Sequence, residues 1–148
     1  MSGSAPHRVA TSIAAETSQL ASLRDFIRTH VTGSGFNDYE VNGIVLAIDE
    51  ACANLILHGY GNDRSKAIDI TLDVSPSGIR IDILDSATSF DPAVAPRPDI
   101  GRYVADKRRG GWGIALISRV MDDIRYTPIS GTEPKNRLTL IKRRHASP

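Results

Sequence analysis

A single cysteine, Cys52, is all the chain has, which excludes an internal disulfide framework and any zinc site built from clustered cysteines. One thiol fits a reducing compartment. Long apolar runs are also missing. No stretch approaches the roughly 18 consecutive apolar residues of a membrane span, and the start, "MSGSAPHRVA", has neither the basic beginning nor the apolar run of a signal peptide. Charge of one sign is not in excess, since 18 Lys and Arg stand against 17 Asp and Glu for a formal +1. A whole-surface field that gathers nucleic acid or anionic membrane is thereby excluded, and any charge-driven function is local. Internal repeats and low-complexity segments are absent as well. What remains is 148 residues, 41% hydrophobic, the size of one compact domain over 1–148 that is expected to be cytoplasmic.

The chain falls into periodic segments separated by turn chemistry. Residues 1–6 and 145–148 are expected to fray, and "HRVATSIAA" reads as a short first strand. Leu20, Leu23, Phe26 and Ile27 recur at helical spacing, which predicts an amphipathic helix over about 16–31. After the loop "TGSGFND", Asn37 or Asp38 caps a second helix expected to run to His58 and end at Gly59. "AIDITLDV" and "IRIDILD" alternate apolar and polar residues across "SPSG", a hairpin pattern; "DIRYTPIS" and "NRLTLIKRR" repeat it across "GTEPK". Between the hairpins lies a long, proline-bearing and basic connector, with a lid expected over 92–111, and then a glycine-rich opening to a third helix, "GGWGIALISRVMDD". Helices, strands, lid, helix and strands in that order make one α+β domain.

Three places carry chemistry. In "AIDEACANLILHGYG", Glu50, Asn54 and His58 are four residues apart; at 100° per residue Asn54 falls about 40° and His58 about 80° from Glu50. An ordinary solvated helix face is one explanation. Against it, the same sector holds Leu46, Ala47 and Leu57 and no Lys or Arg, unlike a solvent-facing stripe. An amide oxygen is a hard ligand suited to Mg²⁺, and a carboxylate one turn earlier can take a proton from an attacking hydroxyl. Second, Asp85 ends a strand in "IDILDSATSFDP": it is either a turn former or the acceptor for an exocyclic amine. Third, Gly110, Gly111 and Gly113 stand at a helix N-terminus behind Arg108 and Arg109, where free N–H groups and the helix dipole favour an anion such as phosphate, although glycines also mark plain turns.

The order of the three motifs, Glu-x-x-x-Asn-x-x-x-His, a strand-end aspartate, a lid and Gly-Gly-x-Gly, closely resembles the ATP-binding domain of the histidine-kinase and gyrase-type ATPase superfamily. Within it, "HGY", "SFDP" and "GGWGIALI…MDDIRY" are similar to the anti-sigma-factor serine kinases of bacterial partner switching, over roughly residues 8–143. The resemblance implies a Bergerat-type ATP-binding fold, a two-layer sandwich of helices on a mixed, mostly antiparallel sheet. It implies ATP and Mg²⁺ as ligands, with Asn54 on the metal and Glu50 as the general base for an acceptor serine. His58 would line the nucleotide pocket, Asp85 would receive the adenine amine, and Phe90 and Pro92 would wall it. Gly110, Gly111 and Gly113 would hold phosphate, with Arg108 and Arg109 as lid-end clamps and Thr139 against the base. Trp112 is expected to pack as a plug. The pattern departs at Ala87, where the family has glycine: the methyl either forbids a positive φ or fills space beside the adenine, so Ala87→Gly is expected to tighten ATP and ADP alike.

The partners implied are an antagonist protein carrying the target serine and a sigma factor or other regulatory output. Homodimerisation is common in the group; direct contact with nucleic acid or membrane is not expected. Two rival readings stand beside the kinase: a non-catalytic partner-binding module with a decayed pocket, and the ATPase domain of a different signalling protein.

Overall fold

Alternation along the strands decides which side of the sheet is covered. In the computed structural model, which describes residues 6–87, 113–131 and 134–144, strand β2 (Ala67–Ser75) buries Ile68, Ile70, Leu72 and Val74, and β3 (Gly78–Asp85) buries Ile79, Ile81 and Ile83. Their antiparallel register sets Ile70 against Ile83 and Leu72 against Ile81, so one face is a continuous apolar surface. Strand β5 (Asn136–Arg143) extends it with Leu138 opposite Ile83 and Leu140 opposite Ile81. With β1 (His7–Ala14) on one edge and β4 (Asp123–Thr127) on the other, the order is β1-β2-β3-β5-β4. All four described pairings are antiparallel, in keeping with the mostly antiparallel sheet expected.

Three helices cover the apolar face: α1 (Leu20–Val31), α2 (Asp38–Asn54) and α3 (Gly113–Val120). Leu23 and Ile27 of α1, Ile44 and Ile48 of α2 and Ile117 of α3 join the strand residues in one core, and burying each such side chain stabilises by about 1.5–3 kcal/mol. The opposite face carries Arg8, Asp73, Arg80, Asp82 and Thr139, and no described helix lies on it. The result is the expected two-layer α+β architecture.

Local chemistry fixes the ends of α2. Asn37 Oδ1 accepts from the Glu40 N–H (2.8 Å) while the Asn37 N–H donates to Glu40 Oε1 (2.9 Å), a reciprocal capping box. At the other end the α-helix stops at Asn54, not at His58. Leu55–Gly59 forms a π-helical turn, closed by a Tyr60 N–H to Leu55 carbonyl bond of 2.7 Å. The first helix also starts later than its apolar spacing predicts, because Thr17–Gln19 is a separate 3₁₀ turn. Asp38–Gly59 is long and apolar enough by composition to cross a membrane, yet 56% of the relevant window is buried inside this fold, as befits a core helix.

Candidate functional site

Helix α2 is anchored to both neighbouring helices. Arg24 of α1 reaches Asp49 at 2.8 Å and Arg28 reaches Asn42 at 2.7 Å. On the other flank a Cβ on Gly43 would come within 3.2 Å of Val120 of α3, so glycine lets that helix approach closely. Between these contacts Glu50 straddles a boundary. Ala47 and Asn54, on one side of it, are buried, whereas Leu46 is 49% and Leu57 45% exposed. The leucines therefore do not mark a buried sector, as their presence in the sequence suggests. The half-buried carboxylate of Glu50 is reachable from outside while Asn54, one turn on, lies inside.

Asn54 is only 8% exposed, and among the described residues no group hydrogen-bonds its side-chain amide. No enclosed side-chain N or O among the described residues lacks a partner, so the tip of the Asn54 amide meets solvent and is open to a ligand. His58 is exposed; because each residue of a π turn advances less than the 100° of an α-helix, the four steps from Asn54 fall just short of a full turn and leave it near the Glu50–Asn54 line.

The π turn is stitched to the end of β3. Tyr60 Oη accepts the Ser86 N–H (2.7 Å), donates to the Ala67 carbonyl (2.9 Å) and shares a bond with Ser86 Oγ (3.2 Å). Beside it Ala87, 3% exposed, packs on Gly59: a Cβ on that glycine would sit 3.4 Å from the Ala87 methyl. Asn62 is the one described non-glycine residue with a positive φ, so Ala87 holds an ordinary backbone conformation. Of the two effects expected of its methyl, a forbidden φ is ruled out.

Asp85, 3% exposed, is the centre of a buried polar network. Its Oδ1 accepts from the Ala87 N–H at 2.8 Å and from Asn136 Nδ2 at 2.9 Å. Asn136 Nδ2 also donates to the Ala87 carbonyl (2.9 Å), and Asn136 Oδ1 accepts from the Ile129 N–H (2.7 Å). Burial, and then the charge of Asp85, push the Tyr126 phenol up to about 12. Burial, aided by the charges of Asp49 and Asp85, pushes the Cys52 thiol up, which makes it inert. Asn136 is absent from the sequence reading. Its one signal is a polar amide opening a strand whose next inward residues are Leu138 and Leu140.

Thr139 requires a correction. The register pairs it with Asp82, and its hydroxyl donates to Asp82 Oδ1 at 2.6 Å on the sheet face turned away from the helices. Adjacent strand residues point to opposite faces, so Thr139 cannot sit beside Asp85, whose side chain lies on the helix side. Gly113 opens α3 as expected. Phe90, Pro92, Arg108, Arg109, Gly110, Gly111, Trp112 and the lid expected over 92–111 lie outside the described residues.

The donors present suit a magnesium nucleotide. The open tip of the Asn54 amide offers a hard oxygen, and the Asp85 carboxylate offers an acceptor for an amine. The chain is 28% identical over 102 residues to the serine-protein kinase RsbW of Bacillus subtilis (strain 168), covering 66% of this chain and 63% of the relative. A second RsbW, from Bacillus cereus (strain AH187), is 29% identical over 122 residues, 79% of this chain and 75% of the relative. The chain thus spans under two thirds of the length of the first of these. Among solved structures, the RsbU and RsbW domains of Rv1364c from Mycobacterium tuberculosis share the fold, with a TM-score of 0.62 at 19% identity over 93% of this chain and 32% of that one. The histidine kinase-like ATPase domain matches residues 13–142, and the chain belongs to that family.

Proposed function

We propose that this chain is a Mg²⁺- and ATP-dependent serine kinase that phosphorylates an antagonist protein and alternately binds that protein or a sigma factor or similar output. The observation that carries the proposal is the arrangement on α2: a mostly buried residue, Asn54, whose amide tip is unbonded and open, and one turn earlier a carboxylate at the edge of the protein, Glu50. ATP, when bound, supplies the phosphoryl group and Mg²⁺ screens its charge. Asn54 would hold the metal and Asp85 the adenine amine. From its boundary position, Glu50 accepts the proton of a serine hydroxyl presented by a docked protein. A new phosphoserine brings about −1.5 to −2 charges, which would break the interface that presented it.

His58, Phe90, Pro92, Arg108, Arg109, Gly110, Gly111 and Gly113 remain proposed pocket and phosphate contacts on the strength of the motif pattern. The decayed-pocket alternative drew on Ala87; backbone strain no longer supports it, which leaves only the space its methyl fills beside the base. Glu50→Gln tests the role split. It should bind ATP nearly as the parent does and transfer phosphate roughly 10²–10⁴-fold more slowly. Transfer of radiolabel at the parent rate would remove Glu50 as the base.

A further inference from the structure

Asn136 is 2% exposed, stands directly opposite Asp85 in the β3–β5 register, and has three hydrogen bonds in this buried network. Few side chains could replace it. A leucine of similar size would strand the Ala87 carbonyl and the Ile129 N–H and take one donor from Asp85 Oδ1. An aspartate would press two carboxylates together, and a serine would not reach all three groups. Asp85 Oδ1 is consequently gripped from two directions, by the Ala87 N–H and by Asn136 Nδ2, which fixes the rotation of the whole carboxylate. The same amide holds the Ala87 carbonyl, so the turn leaving β3 is clamped through both of its backbone groups.

We propose that Asn136 is a positioning residue for base recognition: it sets the angle of the Asp85 carboxylate for an exocyclic amine, and so determines discrimination between a 6-amino and a 6-oxo purine nucleotide. The proposal rests on the reading of Asp85 as the base contact. A carboxylate of fixed orientation accepts from an amine and repels a carbonyl oxygen at the same place; one that rotates can move aside, and loses that contrast. Asn136 also ties the β4–β5 connection through Ile129. A mere fastener would weaken every nucleotide to the same degree.

Calorimetric titration of the parent and of Asn136→Ser with ADP and with inosine diphosphate, which has a carbonyl where ADP has its amine, separates the two roles. The parent should prefer ADP. The serine variant should lose roughly fivefold or more of that preference, through weaker ADP binding with little change for the inosine nucleotide. An unchanged preference in the folded variant overturns the proposal and leaves the Asp85 reading intact; a parent that binds both nucleotides alike overturns both. Should the serine variant not fold, Asn136→Asp keeps the volume. Its carboxyl can donate to Asp85 only while protonated, so its ADP preference should fall between about pH 5.5 and about pH 8 while the parent's stays level. A level preference in that variant also overturns the proposal.

Discussion

Two aspartates three residues apart on β3, Asp82 and Asp85, are each only 3% exposed, and they are buried by opposite means. Asp82 points to the face without helices and is covered by its own ion partners: Arg80 at 3.1 Å, Arg137 at 3.5 Å and the Thr139 hydroxyl at 2.6 Å. Asp85 points under α2 and is held by an amide and a backbone N–H. Burial raises the Asp82 carboxyl, the largest single influence on it. The hydrogen bonds of Thr139 and Arg80, with the charges of Arg80 and Arg137, outweigh that and hold it below the ordinary carboxylate value. A carboxylate clamped by cations is a strut. One oriented by an amide and a backbone N–H is suited to reading an incoming amine, which is why the proposed site takes the second and not the first.

The contrast breaks most visibly in binding. Asp85→Asn turns one acceptor position into a donor, facing either Asn136 and the Ala87 N–H or the base amine. ADP affinity should fall roughly ten- to a hundredfold, as for loss of a hydrogen bond to a charged group. Asp82→Asn should bind ADP within about twofold of the parent, since it lies on the other face. Calorimetry decides both, and equal losses would erase the distinction.

Next in size is stability. Asp82→Ala leaves Thr139 and two half-exposed arginines without their acceptor and should lose about 1–2 kcal/mol in urea denaturation, the exposed ion pairs adding little. A loss below about 0.5 kcal/mol would mean that the cluster is ornamental. The same residue gives a pH signature. Because its folded-state carboxyl lies lower than the unfolded one, its contribution is fully present above about pH 4 and disappears as pH falls through the depressed value. Asp82→Asn should therefore show a shallower acid limb below about pH 4 than the parent. Identical limbs would contradict the assignment.

The smallest effect sharpens the comparison at the Asp85 end. The sequence predicts that Ala87→Gly tightens nucleotide, but Ala87 has an ordinary φ and its methyl packs against Gly59. We now expect a loss of about 0.5–1 kcal/mol in stability, largely from unfolded-state entropy, and no gain in ADP affinity. Tighter ADP in the glycine variant would show that the methyl crowds the base after all.

Sheet and helices were legible because their rules are local. Alternation in "AIDITLDV" and "IRIDILD" gives the buried face, and Asn37 with Glu40 spells the capping box. The same alternation turns Thr139 outward once Leu138 and Leu140 face the core; its assignment to the base set motif resemblance against the pleat, and the pleat prevailed. The π turn was not legible, since Tyr60 is held by Ser86 and Ala67, the first of them 26 residues away in sequence. Nor was Asn136, whose partner Asp85 lies 51 residues earlier and is found only through strand register.

That π turn also makes α2 a measured length of chain. Winding the same residues as ordinary α-helix would turn the tyrosine about 100° further around the axis and away from Ser86. The wide turn therefore works as a spacer: it takes up one residue more than α winding would over the same span, and so keeps the helix end and the strand end in step.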